Sequence, residues 1–203
     1  MGEKSELISQ ELEAQLQGLF QKLENKVVLK CVLDEAQKES LEMKRMVSHM
    51  ADLSDLVEIQ IVDKQEVVSK DVTHLPLTMI YKEDTDTGIS FHGVPGGQEM
   101  NSFVVAVLMA GGAKKLEAED GRVEGKHSID ILVSLSCHHC AKQVMNCFQI
   151  AYLSEQVEAA MYDARLYPDL VEKYKIERIP MTIIDGETTI MGVKETEELI
   201  AIL

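Results

Sequence analysis

Apolar residues recur at helical spacing across residues 5–23, at Leu7, Leu12, Leu16, Leu19, Phe20 and Leu23, so the chain opens on an amphipathic helix packed against the segments after it. The next stretch changes period. NKVVLKCVLD is short and β-branched, EAQKESLEMKRMVSHMADL returns to a helical repeat, and VEIQIVD alternates as a strand does, which together make a βαβ unit. After a polar connector come LPLTMIY, a turn across residues 85–88, ISFHGV and a helix over about residues 97–109, a ββα unit. Then the order restarts. IDILVSLS reads as strand, CHHCAKQVMNCFQIAYL as helix, VEAAMYDA as strand and YPDLVEKYK as helix. IPMTIID and ETTIMG form a hairpin turned at Asp185-Gly186, and ETEELIAIL closes the chain as a helix.

The repetition is visible in letters as well as in period. Leu75-Pro76-Leu77-Thr78-Met79-Ile80 recurs as Ile179-Pro180-Met181-Thr182-Ile183-Ile184 at an offset of 104 (180 − 76). Gly93-Val94 recurs as Gly192-Val193 at an offset of 99 (192 − 93), so the first hairpin is five residues longer, an excess assigned to its turn. Two copies of one α/β unit follow, βαβ-ββα twice, with a mixed central sheet flanked by helices and an extra N-terminal helix. GGAKKLEAEDGRVEGKH between them is glycine-rich, charged and without apolar period, which marks a surface linker. The boundary is set there, giving halves of residues 1–117 and 118–203.

Composition narrows the function. The 203 residues are 45% hydrophobic, enough for a core, and carry a formal charge of −15, which disfavours nucleic acid or an anionic membrane as partner. A basic protein surface suits the chain better. No window approaches a membrane span, and MGEKSELISQELEAQ is polar and acidic rather than signal-like, so the expected location is the cytosol. Four cysteines are too few for a disulfide scaffold, and in a reducing compartment a close CxxC pair points to redox or metal chemistry.

That pair is Cys137-His138-His139-Cys140, placed where a strand ends and a helix begins. A helix N-terminus presents free N–H groups and partial positive charge, which favours a thiolate on the first sulfur. Cys137 is therefore the expected nucleophile. Cys140 falls on the first helical turn, within reach for a reversible disulfide, and is the expected resolving thiol. His138 and His139 as imidazolium would favour the reduced form and raise the reduction potential; as two solvent-exposed side chains they would do nothing beyond bulk. Ile179-Pro180 is expected to be cis, exposing the Ile179 backbone beside the dithiol so that a substrate chain can pair with it as an added strand. Cys31 and Cys147 read as small core residues, and the eleven methionines as core filler.

SLSCHHC, IPMTIIDG, the unequal repeat and FHGVPGGQEMNSFVVAVLMAGG together resemble the N-terminal domain of the flavoprotein subunit of alkyl hydroperoxide reductase, over nearly the whole chain. CxxC with a downstream X-Pro is common to thioredoxin-like proteins; G-V-P-x-G-x-E ahead of an apolar helix ending in Gly-Gly is the more discriminating stretch. The resemblance implies two fused thioredoxin-like halves whose dithiol takes electrons from a disulfide centre near a flavin and passes them to a peroxiredoxin. It also implies that Glu99, from the half without a dithiol, approaches the pair and relays protons to the resolving cysteine; an ordinary first-turn glutamate stabilising its helix is the other reading. Two departures matter. No G-x-G-x-x-G fingerprint follows a strand, so neither flavin nor nicotinamide is expected in this chain, and its redox group is the Cys137-Cys140 disulfide. The expected role is a free-standing shuttle between a separate thioredoxin-reductase-like flavoprotein and a peroxiredoxin. The first half has no cysteine around residues 34–38, where the CxxC aligns, and is expected only to scaffold or dock.

Other readings of the pair compete. A zinc knuckle would need four neighbouring residues to converge, although successive helical side chains diverge by about 100°. An iron–sulfur cluster bridging two chains would colour the protein brown. A non-catalytic interaction module is allowed by the fold, and a disulfide isomerase would belong in an oxidising compartment.

Overall fold

A computed structural model describes residues 4–68, 70–114, 116 and 123–203. The linker position chosen as the boundary between the halves lies outside the described residues.

The opening helix, α1 (Gln10–Phe20), is capped by Ser9, whose hydroxyl accepts from the Leu12 N–H at 3.2 Å. Its apolar stripe buries Leu16 and Phe20. The first half then runs β1 (Val27–Val32), α2 (Lys38–Ala51), β2 (Val57–Ile61), β3 (Leu77–Lys82), β4 (Thr85–His92) and α3 (Glu99–Ala110). The second runs β5 (His127–Val133), α4 (His138–Leu153), β6 (Val157–Asp163), α5 (Pro168–Lys173), β7 (Met181–Ile184), β8 (Thr188–Met191) and α6 (Thr196–Ile200). All eight strands form one mixed sheet in the order β2-β1-β3-β4-β6-β5-β7-β8. The halves meet head to tail, because β4, last strand of the first, pairs in parallel with β6 of the second.

The duplication extends to single hydrogen bonds. Val27 N–H donates to Leu56 O and His127 N–H to Gln156 O, both at 2.8 Å. Gly93 N–H donates to Pro76 O and Gly192 N–H to Pro180 O, both at 2.9 Å, and Leu75-Pro76 and Ile179-Pro180 are both cis. The expected turn across residues 85–88 is corrected. The first hairpin turns on Glu83 and Asp84 alone, and its extra residues lengthen β3 and β4, where Tyr81 pairs with Asp86 and Lys82 with Thr85. Gly88 sits in β4 with φ +74, where a Cβ would stand 2.6 Å from the Val157 carbonyl oxygen, so the seam itself demands glycine.

The main core lies on one face of the sheet under α1, α2, α3, α4 and α6. Phe91 of β4 meets Phe103 of α3 and Phe148 of α4, each at 5.0 Å between ring centroids, so one aromatic group joins the two halves. Met43, Met46, Met50 and Met161 are fully buried, as core filler should be, each worth about 1.5–3 kcal/mol by burial. The opposite face carries two smaller clusters, one beneath α5 and one around Val32, Leu75, Leu77 and Met79.

Candidate active site

The turn between β5 and α4 is closed by Cys137 N–H donating to Ser134 O at 2.9 Å, which makes Cys137 the N-cap of α4. Cys137 is partly exposed, whereas Cys140, one turn inside, is fully buried; both are free thiols. Burial pushes the Cys140 thiol up to about 12. The hydrogen bond shared with the Cys137 sulfur and the charges of Cys137 and Glu99 add to the rise, and the Ser134 N–H opposes it. An accessible first sulfur hydrogen-bonded to a protonated, sheltered second one is an arrangement suited to stepwise thiol–disulfide exchange.

Glu99, from the other half, bears on this site through the effect of its charge on the Cys140 thiol. It opens α3, is fully buried, and accepts from Ser102 Oγ on Oε2 at 2.7 Å, while Oε1 has no hydrogen-bond partner among the described residues. Burial, countered only by the Ser102 hydroxyl, raises its carboxyl to about 7. The Gly96-Gly97 turn delivers it there. Gln98 N–H donates to Leu135 O at 2.8 Å, and a Cβ on Gly97, at φ +56, would stand 2.3 Å from that same oxygen. The glycines of GVPGGQE thus let one half's backbone lie against the loop that carries the other half's Cys137.

Pro180 is buried and Ile179 half-buried, and Ile179 and Cys137 both pack on the rim of the same core. His138 and His139 are exposed and make no hydrogen bond or ion pair among the described residues. Cys31 and Cys147 are fully buried, and burial pushes both thiols up to about 12, so neither is a ready nucleophile. Among the described residues no group of three or more His, Cys, Asp or Glu is placed to hold a metal ion.

The first half's counterpart of the dithiol is Gln37, within the expected residues 34–38, and Ser40, two residues past them. Gln37 N–H donates to Asp34 O at 2.9 Å, just as Cys137 does to Ser134. Buried Ser40 accepts from the Asp34 N–H at 3.0 Å. The loop length before the helix, rather than the strand letters, decides the correspondence. The sequence reading also passes over two buried carboxamides, Gln143 and Asn146, on the dithiol helix. Their signal is a pair of amides three residues apart on an otherwise apolar face.

A thioredoxin-domain family model matches residues 127–203, the half with the dithiol. A mutant form of the alkylhydroperoxide reductase protein AhpF of Enterococcus faecalis superposes at a TM-score of 0.88 and 33% identity, covering 98% of this chain and 100% of that one. The chain belongs to the AhpF family of alkyl hydroperoxide reductase proteins. Its match is to the N-terminal-domain length of AhpF: the NTD_N/C domain of the E. faecalis protein aligns at a TM-score of 0.87 and 34% identity, covering 96% of this chain and 99% of that one. Among curated relatives, a Bacillus subtilis protein named NADH dehydrogenase is 26% identical over 94% of this chain, and the Escherichia coli AhpF is 26% identical over 96%. The chain spans only 36% and 37% of their respective lengths. A protein disulfide oxidoreductase of Aeropyrum pernix, at 17% identity and a TM-score of 0.82, shares the fold. The architecture is accordingly two tandem thioredoxin-like halves, and the chemistry of the AhpF family is oxidoreduction. No helix among the described residues is long and apolar enough to cross a membrane.

Proposed function

We propose that this chain is a thiol–disulfide oxidoreductase that carries electrons from a thioredoxin-reductase-like flavoprotein to the disulfide of a peroxiredoxin, in the cytosol. The observation that carries the reading is the partly exposed Cys137 at the mouth of α4 with buried Cys140 one turn inside. Cys137 attacks one sulfur of the acceptor disulfide, and the other leaves as a thiol. Cys140 then attacks Cys137, releasing the acceptor's second thiol and closing the Cys137-Cys140 disulfide. Two electrons pass to the acceptor, and the flavoprotein returns two to the pair. Glu99 supports the second step: its buried carboxyl, raised to about 7, acts on the Cys140 thiol and can take the proton that Cys140 must lose. The Ile179 backbone at the cis peptide is the edge on which an extended acceptor segment would lie. The first half serves as scaffold and supplies Glu99.

Reconstitution tests this directly. A thioredoxin-reductase-like flavoprotein, this chain and an oxidised peroxiredoxin should together oxidise nicotinamide on adding peroxide, with turnover dependent on Cys137. No turnover beside a working control shuttle would overturn the proposed route.

A further inference from the structure

The dithiol helix carries a polar network that its counterpart in the first half lacks. Gln143, one turn past Cys140, is fully buried; its Nε2 donates to Thr182 Oγ1 at 2.9 Å, and its Oε1 accepts from the Lys194 N–H at 2.7 Å. Asn146 Nδ2 donates to the Lys194 carbonyl oxygen at 2.7 Å. Both ends of residue 194 are therefore held by α4. Thr182 lies two residues past Pro180, and Gly192, two before Lys194, donates to the Pro180 carbonyl at 2.9 Å. The contacts close a ring: Cys140's turn, Gln143, Thr182, Pro180, Gly192, Lys194 and back.

The first half shows what packing alone requires at these places. Its corresponding residues are Met43, Met46 and Pro95; both methionines are fully buried, and proline has no N–H to offer. Thr78, the partner of Thr182 in the repeat, lies against Cys31 Sγ at 3.4 Å instead. Burying carboxamides is costly unless every partner is in place, and the same fold manages with methionine. The half that bears that cost is the half with the CxxC.

We infer that Gln143 and Asn146 are positioning residues, which fix the spacing between the dithiol turn and the cis-proline edge so that an extended protein disulfide can lie across both. The inference rests on the thiol–disulfide reading of the site. The strand-like acceptor must meet Cys137 and the Ile179 backbone at once, whereas a small aromatic disulfide needs only Cys137. A slip of about 1 Å between the two elements would cost the first reaction on the order of 10²-fold and spare the second.

The test exchanges the residues for those of the repeat. Pre-reduced Gln143→Met/Asn146→Met protein is assayed for reduction of insulin disulfides and for reaction with 5,5′-dithiobis(2-nitrobenzoate), beside wild type and with thermal melts of each. The expected result is a folded variant whose insulin rate falls about tenfold or more while the small disulfide reacts within about twofold of wild type. An unchanged insulin rate, or an equal fall in both reactions, overturns the inference. Should the double variant not fold, Thr182→Val removes one arm of the network with an isosteric strand former, and the same selective loss, smaller in size, is required of it. Wild type that reacts with the small disulfide but never with insulin would instead sink the oxidoreductase reading itself.

Discussion

The two halves share a backbone and differ in what their side chains do with it. Each closes the turn before the helix that follows its first strand with the same 2.9 Å bond, at Gln37 and at Cys137, and each carries a cis proline just ahead of the strand that pairs antiparallel with that first strand. In the first half the elements of a dithiol site have been filled in. Gln37 and Ser40 stand for the cysteines, and Leu75, only 3% exposed, sits under Val32, Leu77 and Met79, so no incoming chain can reach its backbone. In the second half Ile179 is half-buried and Cys137 accessible. A thioredoxin-like backbone thus supplies a place for chemistry, while side chains decide whether it is open.

The largest expected effect is on Cys137. Cys137→Ser should abolish protein-disulfide transfer, Cys140→Ser should trap mixed disulfides on Cys137 in non-reducing gels, and Cys147→Ser should leave the rate unchanged. Equal damage from Cys147→Ser would reassign the pair. Next comes a graft: Gln37→Cys/Ser40→Cys in a Cys137→Ser/Cys140→Ser background should stay about a hundredfold or more below wild type in insulin reduction, because the Leu75 edge is closed and no amide ring positions α2. Recovery of transfer there would break the comparison between the halves.

Glu99 offers a smaller, pH-dependent effect. Its folded value of about 7 lies above its ordinary 4.5, so the unfolded chain loses that proton first and the native state loses stability as pH rises between the two. The loss amounts to about 3 kcal/mol. Urea unfolding should therefore show Glu99→Gln gaining on wild type between pH 4.5 and 7, with the gain then level; a constant difference across that range would contradict a buried, unpaired carboxyl.

The smallest effect expected is at His74, which ties the halves together on the opposite face of the sheet. Its Nε2 lies 2.7 Å from Asp169 Oδ2 of α5, and its Nδ1 meets Asp71 beside it in the first half. Burial pulls its pKa down, but the two carboxylates outweigh it and the net shift is upward. Its contribution is present below the ordinary histidine value and fades as pH rises through the raised one, so His74→Ala should cost roughly 1 kcal/mol near pH 6 and less at pH 9. A deficit that grows with pH in thermal melts would argue against the pairing.

The elements were legible because their periods differ. The repeat was legible because Leu-Pro-Leu-Thr and Ile-Pro-Met-Thr carry the same turn-then-strand chemistry, and the CxxC because a helix start selects few residue types. The first hairpin's turn was misplaced, since Thr85, Thr87 and Gly88 have turn-like composition and only the pairing of this segment with Tyr81 and Lys82 of β3 makes it strand. Gln143 passed unnoticed because an amide on a helix reads as solvent-facing until its partners, 39 and 51 residues away, are known.

Local order, period and the CxxC pair at a helix start were determined by the sequence itself, because each depends on neighbours a few residues apart. The burial of Glu99, the closing of the Leu75 edge and the amide ring around Pro180 were decided only in three dimensions. Each depends on which groups lose water together, and desolvation is a property of the packed chain rather than of any segment of it.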